Sequence, residues 1–249
     1  MTMPSAALEI FGLNKRFGGV PATRDASLCV VTGERRLIIG PNGAGKTTLF
    51  NLVTGDLSPD SGSIRLFGRE IRNLPTRRRV HLGLARTYQI LTLFATETFA
   101  QNVVLALLGL RTTRWNPWSP LAANRALHQT ACEMLLKVGL ADSADRIVAQ
   151  ASYGDRRRLE FAMALAQNPR LLLLDEPLAG LSQEERQIVR RLLDGIPRDV
   201  TIVMIEHDMD TALAFAERIS VLHHGEVIVE GTRAEVVADP RTKEVYLGE

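Results

Sequence analysis

Residues 40 to 47 read Gly-Pro-Asn-Gly-Ala-Gly-Lys-Thr and fit G-x-x-x-x-G-K-[ST] at every defined position. The glycines permit a compact loop whose amide N–H groups turn inward, and a helix N-terminus behind them adds its own unpaired donors. Such a loop is a site for a polyanion. Lys46 has the reach and charge for β- and γ-phosphates, and the Thr47 hydroxyl suits Mg²⁺. Gly40, Pro41, Asn42, Gly43, Ala44, Gly45, Lys46, Thr47 and Thr48 are therefore expected to hold a nucleotide. A glycine-rich turn with no ligand needs neither the lysine nor the following hydroxyl.

A second group lies far downstream. Leu171–Leu174 is an apolar run that ends in Asp175-Glu176-Pro177. Ligands of open α/β sheets sit at the carboxyl ends of strands, so Asp175 is placed to hold Mg²⁺, directly or through water. Glu176 could then orient and deprotonate an attacking water. Standing alone, the two acids would read as solvated carboxylates at a strand end. His207 ends the next buried strand, after Thr-Ile-Val-Met-Ile-Glu206, and could be aimed at a γ-phosphate. Of the five histidines only this one has such a placement; His223 and His224 read as hairpin residues, His81 and His128 as helix residues.

These groups need a scaffold. Arg36–Gly40 is a short buried strand leading into the loop, and Thr47–Thr54 is a helix leaving it. Leu8–Phe17, Ser27–Thr32 and Ser63–Phe67 have strand content. Phe99, Val103, Ala106, Leu107 and Leu110 repeat on one helical face, residues 115–120 break it, and Leu121–Val138 and Tyr153–Gln167 are helical again. After Asn168-Pro169 come strand Leu171–Asp175, helix Gln183–Leu193, strand Val200–Ile205 and a hairpin of Ile219–His223 with Glu226–Glu230. Strands alternating with helices predict an α/β fold with a mainly parallel sheet covered on both faces. Lys46 and Asp175 can meet only if the helical stretch between them is an insertion.

Composition agrees. The 249 residues are 45% apolar and 23% charged, which excludes intrinsic disorder, and the formal charge of +2 is too small to argue for nucleic acid. No apolar run approaches the ~18 residues of a membrane span, and the first basic residue is Lys15, so the start lacks the charged head of a secretory signal. Cys29 and Cys132 have neither metal nor redox spacing and read as small core residues of a protein from a reducing cytoplasm. The runs Arg77–Arg79 and Arg156–Arg158 read as solvated helix faces.

Taken in order along one chain, these motifs resemble the ATP-binding subunit of ABC transporters over nearly the whole length. Ala151-Ser-Tyr-Gly-Asp-Arg156 looks like the family's signature loop, with Ser152 and Gly154 at its serine and glycine positions. The resemblance implies that Ser152, Tyr153, Gly154 and Asp155 act on the ATP of a facing subunit. It implies that Gln89, in Ala85-Arg-Thr-Tyr-Gln89, touches Mg²⁺ beside Thr47 and Asp175, and that Phe17 stacks on adenine. Singly, Phe17 also reads as a strand-end core residue, Gln89 as a solvated amide and Ser152 as a plain N-cap. Ring stacking does not separate ATP from GTP. Ala151, Tyr153 and Asp155 depart from the usual signature, and Ser182 stands where many relatives carry an aspartate.

The implied fold is a single P-loop NTPase cassette of the ABC type over 1–249. Its core covers about 6–89 and 166–249, with an N-terminal antiparallel β subdomain and an inserted α-helical subdomain at about 90–165. The implied activity is Mg²⁺-dependent ATP hydrolysis, with Glu176 and His207 catalytic. The implied partners are two membrane permease subunits, a second ABC ATPase subunit (identical or related) and, indirectly, a solute-binding protein, at the cytoplasmic face of the cell membrane; no nucleic acid is expected. Residues Ile90–Thr98, apolar for a loop, are the expected permease contact. Tyr153-Gly-Asp-Arg, Arg158-Leu-Glu160, Asp175–Leu181, Glu206–Met209, Tyr246-Leu-Gly and the extra length at Leu110–Leu121 resemble the importer branch for branched-chain and other hydrophobic amino acids and amides. Urea and short-amide importers share several of these traits. Glu-Pro-x-Ala-Gly also resembles lipopolysaccharide exporters. A soluble ABC-type ATPase would carry two cores or a long coiled coil, and a non-catalytic regulator has no need of Glu176 and His207.

Overall fold

The computed structural model describes residues 5–88, 93–110, 125–206 and 214–247. The chain divides into two compact units: Met1–Leu84, Arg170–Glu176 and Pro197–Glu249 form the first, Ala85–Pro169 and Pro177–Ile196 the second.

The first unit holds the N-terminal antiparallel sheet. Strands β1 (Ala6–Phe17) and β2 (Val20–Val31) make a long hairpin, β4 (Ser61–Leu66) adds to β1, and β5 (Arg69–Glu70) closes the order β2-β1-β4-β5. Strand β2 begins well before the expected Ser27, because antiparallel pairing with β1 carries it back to Val20. The second sheet contains β3 (Arg35–Ile39), β6 (Leu84–Thr87), β7 (Leu171–Asp175), β8 (Thr201–Ile205), β9 (Arg218–His223) and β10 (Glu226–Gly231), in the order β10-β9-β3-β8-β7-β6. Strands β9, β3, β8 and β7 run parallel, and β10 is antiparallel to β9. The first unit ends at Leu84, so β6 is where the chain passes into the second. Helix α1 (Lys46–Thr54) shares one apolar core with both sheets: Leu8, Ile10 and Ile64 on one side, Leu49, Phe50 and Val53 on the helix, Leu171, Val203 and Ile205 on the other. Short helices α2 (Thr76–His81), α7 (Arg233–Ala238) and α8 (Pro240–Leu247) belong to the same unit.

The second unit is helical: α3 (Phe99–Gly109), α4 (Arg125–Lys137), α5 (Tyr153–Ala166) and α6 (Gln183–Asp194). The α3 face buries Phe99 and Val103 as its periodicity predicts, whereas Ala106, Leu107 and Leu110 are half-buried. Thr98 caps α3 and Ser182 caps α6, each through a reciprocal capping box, with Gln101 and Glu185 respectively.

Four expectations of burial are corrected. Cys29 is exposed, because it takes the outward position of β2 between the buried Leu28 and Val30, and Cys132 is half-buried on α4. Arg79 and Arg157 are 2% and 1% exposed, so neither belongs to a solvated face. Arg79 donates to the carbonyls of Leu52 (2.7 Å), Val53 (2.8 Å), Leu74 (2.8 Å) and Arg72 (2.9 Å), serving the unpaired C-terminal end of α1. Arg79→Met should leave these acceptors orphaned at a cost of about 3 kcal/mol. Thermal unfolding of that variant should start about 6–12 °C lower, as a calorimetric scan would read directly.

Candidate nucleotide site

The buried strand β3 delivers the chain to Gly40, and the loop is shaped by what surrounds it. A Cβ on Gly40 would lie 2.0 Å from the carbonyl oxygen of Leu222, and one on Gly45 would lie 2.2 Å from that of Ala22, so glycine is required at both. Gly45, at φ +100°, is the N-cap of α1 and has no side chain with which to cap it. The first amides of the helix are thereby left for an anion. The rim residues Asn42, Gly43 and Thr47 are exposed, Pro41, Gly45 and Thr48 are half-buried, and Ala44 is buried.

Lys46 is the inner wall. Only 6% of it is exposed, and its Nζ donates to the carbonyls of Gly40 (2.7 Å) and Pro41 (2.9 Å). Burial pulls its pKa below the usual lysine range, while the negative charges of Glu176 and Asp175 act against that shift. The ammonium thus lies within the electrostatic reach of both acids. Asp175 is fully buried at the end of β7, where it pairs with Ile205. Glu176 is half-buried and adopts the left-handed backbone, φ +48°, while its N–H donates to the Ile205 carbonyl at 2.9 Å. A non-glycine residue in that region carries a conformational cost of about 1 kcal/mol or more, and such strain gathers at working sites. Glu206, at the end of β8, is 3% exposed. His207 and Gln89 lie outside the described residues.

Two contributors had no sequence signal that tied them to the phosphate loop. The β9–β10 turn backs the loop: Gly225 N–H donates to the Ala44 carbonyl (2.9 Å), and the turn enters through His224 at φ +46°. The His224-Gly225 dipeptide announces a hairpin but not the loop it supports. The second is Tyr246 on α8: the residue is 41% exposed, yet partial burial of its phenol pushes the pKa up to about 12, against a hydrogen bond with the Gly40 backbone.

Phe17, at the end of β1, is 49% exposed and so is not a core residue; Lys15 Nζ lies 5.8 Å from its ring centroid. In the second unit, Ser152 is the N-cap of α5 and its Oγ accepts the Asp155 N–H at 3.1 Å. Ser152 and Tyr153 are exposed. Asp155 is engaged in ion pairs with Arg146 and Arg158. A Cβ on Gly154 would fall 2.0 Å from Glu185 Oε1, so a side chain there would displace that carboxylate. Ser182, in place of the common aspartate, caps α6.

A glycine cradle at a helix N-terminus, a buried lysine inside it and a strand-end acid pair define a phosphate-loop ATPase. The chain belongs to the ABC transporter family, whose model matches residues 23–179. It is 36% identical over 258 residues to the high-affinity branched-chain amino acid transport ATP-binding protein BraF of Pseudomonas aeruginosa, with 99% of this chain and 100% of the relative covered. It is also 36% identical over 246 residues, covering 98% of each chain, to the lipopolysaccharide export system ATP-binding protein LptB of Acidithiobacillus ferridurans. The crystal structure of the ADP conformation of MJ1267, an ATP-binding cassette of an ABC transporter, superposes with a TM-score of 0.86 at 29% identity and 100% coverage of both chains. The protein is an ATP-binding and ATP-hydrolysing subunit of that family.

Proposed function

We propose that this subunit powers import of branched-chain or related hydrophobic amino acids through membrane permease subunits. The observation that supports the reading best is the full-length match to BraF. Among the described residues no helix is long and apolar enough to cross a membrane. In this reading, which rests on family membership, the substrate path belongs to partner chains and this subunit docks on the cytoplasmic face.

The chemistry follows from the site. Residues 40–48 bind the phosphates, with Lys46 leaving its two loop carbonyls for phosphate oxygens. Thr47 and Asp175, with Gln89 by resemblance, would hold Mg²⁺; an exposed hydroxyl and a fully buried carboxylate suit a hard cation that keeps some water. When bound, the ion neutralises charge on the transferred phosphoryl group. Glu176 acts as the base on the attacking water, and His207 contacts the γ-phosphate. Phe17 offers an exposed ring to adenine. Ser152, Tyr153, Gly154 and Asp155 address the ATP of a facing subunit, identical or related. ATP that differs in affinity between the closed and open pairs supplies the work.

The expected permease contact retains a physical basis in its described part. Phe94 is 55% exposed, and the fully buried Asn102 fixes its backbone, accepting the Phe94 N–H at 2.9 Å and donating to the Phe94 carbonyl at 3.1 Å. A rigidly presented exposed aromatic is a fitting anchor.

The match to LptB favours lipopolysaccharide export as the second reading. Assembly of the subunit with permease chains in vesicles separates the two. Hydrolysis stimulated severalfold by a solute-binding protein loaded with leucine is the outcome expected of import. No response to any loaded binding protein, together with stimulation by lipopolysaccharide, would establish export.

A further inference from the structure

The buried pair Arg157–Glu160 has no part in the nucleotide chemistry above, yet its hydrogen bonds reach the backbone of Tyr88 and Pro177 within the second unit. Both residues are on α5, one turn beyond the Ser152–Asp155 loop, and they are 1% and 7% exposed. Arg157 Nη1 donates to Glu160 Oε2 at 2.6 Å. The same nitrogen donates to the carbonyl of Tyr88 at 2.7 Å, and Glu160 Oε1 accepts the Tyr88 N–H at 2.7 Å. The backbone of Tyr88 is thus gripped on both sides by two side chains, as a neighbouring strand would grip it. Its ring is covered by the Arg86 guanidinium, 4.7 Å from the centroid. Arg157 Nε also donates to the carbonyl of Pro177 at 3.3 Å. In the chain, Tyr88 immediately precedes Gln89, and Pro177 immediately follows Glu176.

Packing alone gives no reason for this arrangement. Removing an ion pair from water costs several kcal/mol per charge, and apolar residues of similar volume commonly give equal or greater stability. What an apolar pair lacks is direction: a guanidinium presents several donors in a fixed fork, and a carboxylate accepts along two lines. Here those directions go to backbone atoms next to Gln89, proposed for Mg²⁺, and Glu176, proposed as the base, and they originate on the helix that begins with the signature loop.

We infer that Arg157 and Glu160 are positioning residues, which hold the backbone at Tyr88 and Pro177 in register with the signature helix so that Gln89 and Glu176 are presented correctly. The inference rests on the ATPase reading. A pair acting in this way governs the rate of hydrolysis and leaves nucleotide affinity alone, since neither residue belongs to the phosphate loop.

The test compares the native full-length chain with Arg157→Met/Glu160→Met and with Arg157→Lys, measuring kcat and KM for ATP, ATP affinity by calorimetry and the melting temperature. The double variant is expected to lose about tenfold in kcat with KM and affinity within about twofold of native. Arg157→Lys keeps the charge opposite Glu160 but cannot reach Tyr88 and Pro177 together, so about a threefold loss is expected. Native kcat in both variants overturns the inference. So does a lowered melting temperature with unchanged turnover per folded molecule, or a rise in KM without a fall in kcat. A native chain that turns over no ATP counts instead against the ATPase reading, and the two failures are thereby distinct.

Discussion

Glu176→Gln is expected to bind ATP as tightly as the native chain and to hydrolyse it at least about 100-fold more slowly. The amide keeps the volume and planarity of the carboxylate, so the half-buried position is filled as before. The backbone geometry survives too, because the hydrogen bond that fixes residue 176 runs from its own N–H to the Ile205 carbonyl and does not involve the side chain. What is lost is the group that accepts the proton of the attacking water, and a positioned general base commonly contributes 10²–10⁴-fold. The substitution also removes one of the two negative charges that act against the burial-lowered pKa of Lys46, while the Asp175 charge and both loop carbonyls remain around the ammonium. Binding and catalysis therefore separate: calorimetry should give a native dissociation constant while phosphate release falls to background. A second consequence is a persistent ATP-bound pair of subunits, visible by size-exclusion chromatography, since closure occurs and cleavage does not. Phosphate release at the native rate would remove Glu176 from the role of base.

Lys46→Ala acts on the other half of the cycle. Two hydrogen bonds to its own loop hold the ammonium in the cradle, in a position that a phosphate group can take over. Charge-assisted bonds of this type contribute about 1.5–3 kcal/mol each, and 1.4 kcal/mol is tenfold in affinity. ATP affinity should fall by about 10- to 100-fold, with the loss measured by calorimetry in the absence of turnover. Burial lowers the pKa of this lysine, so the native chain should lose affinity as pH rises into the alkaline range, sooner than an exposed lysine would dictate. The sign is fixed by charge: the protonated form attracts the nucleotide and the neutral amine does not. Lys46→Ala should lack that alkaline limb. Equal affinity in the variant and the native chain would contradict the loop assignment.

The subunit's chemistry was legible because it depends on residue types that a bare turn or strand end does not need. Residues 40–47 carry a lysine and a hydroxyl directly behind a glycine turn, and Asp175-Glu176 ends an apolar strand; each fact is local in sequence. The parallel sheet followed from alternation of short apolar strands with amphipathic helices, which is equally local. Tertiary structure decided matters that depend on pairing partners. It turned Cys29 outward, because a strand's inner face is set by its neighbours and not by the polarity of one residue. It buried Arg79 and Arg157, because backbone acceptors twenty or more residues away in sequence, the carbonyls of Leu52, Val53 and Pro177 among them, converge on those guanidinium groups. It brought Gly225 and Tyr246 behind the phosphate loop. Hydrophobic period and motif spacing are carried by the chain itself, whereas the partner of a buried charge or a turn exists only once distant segments have packed together.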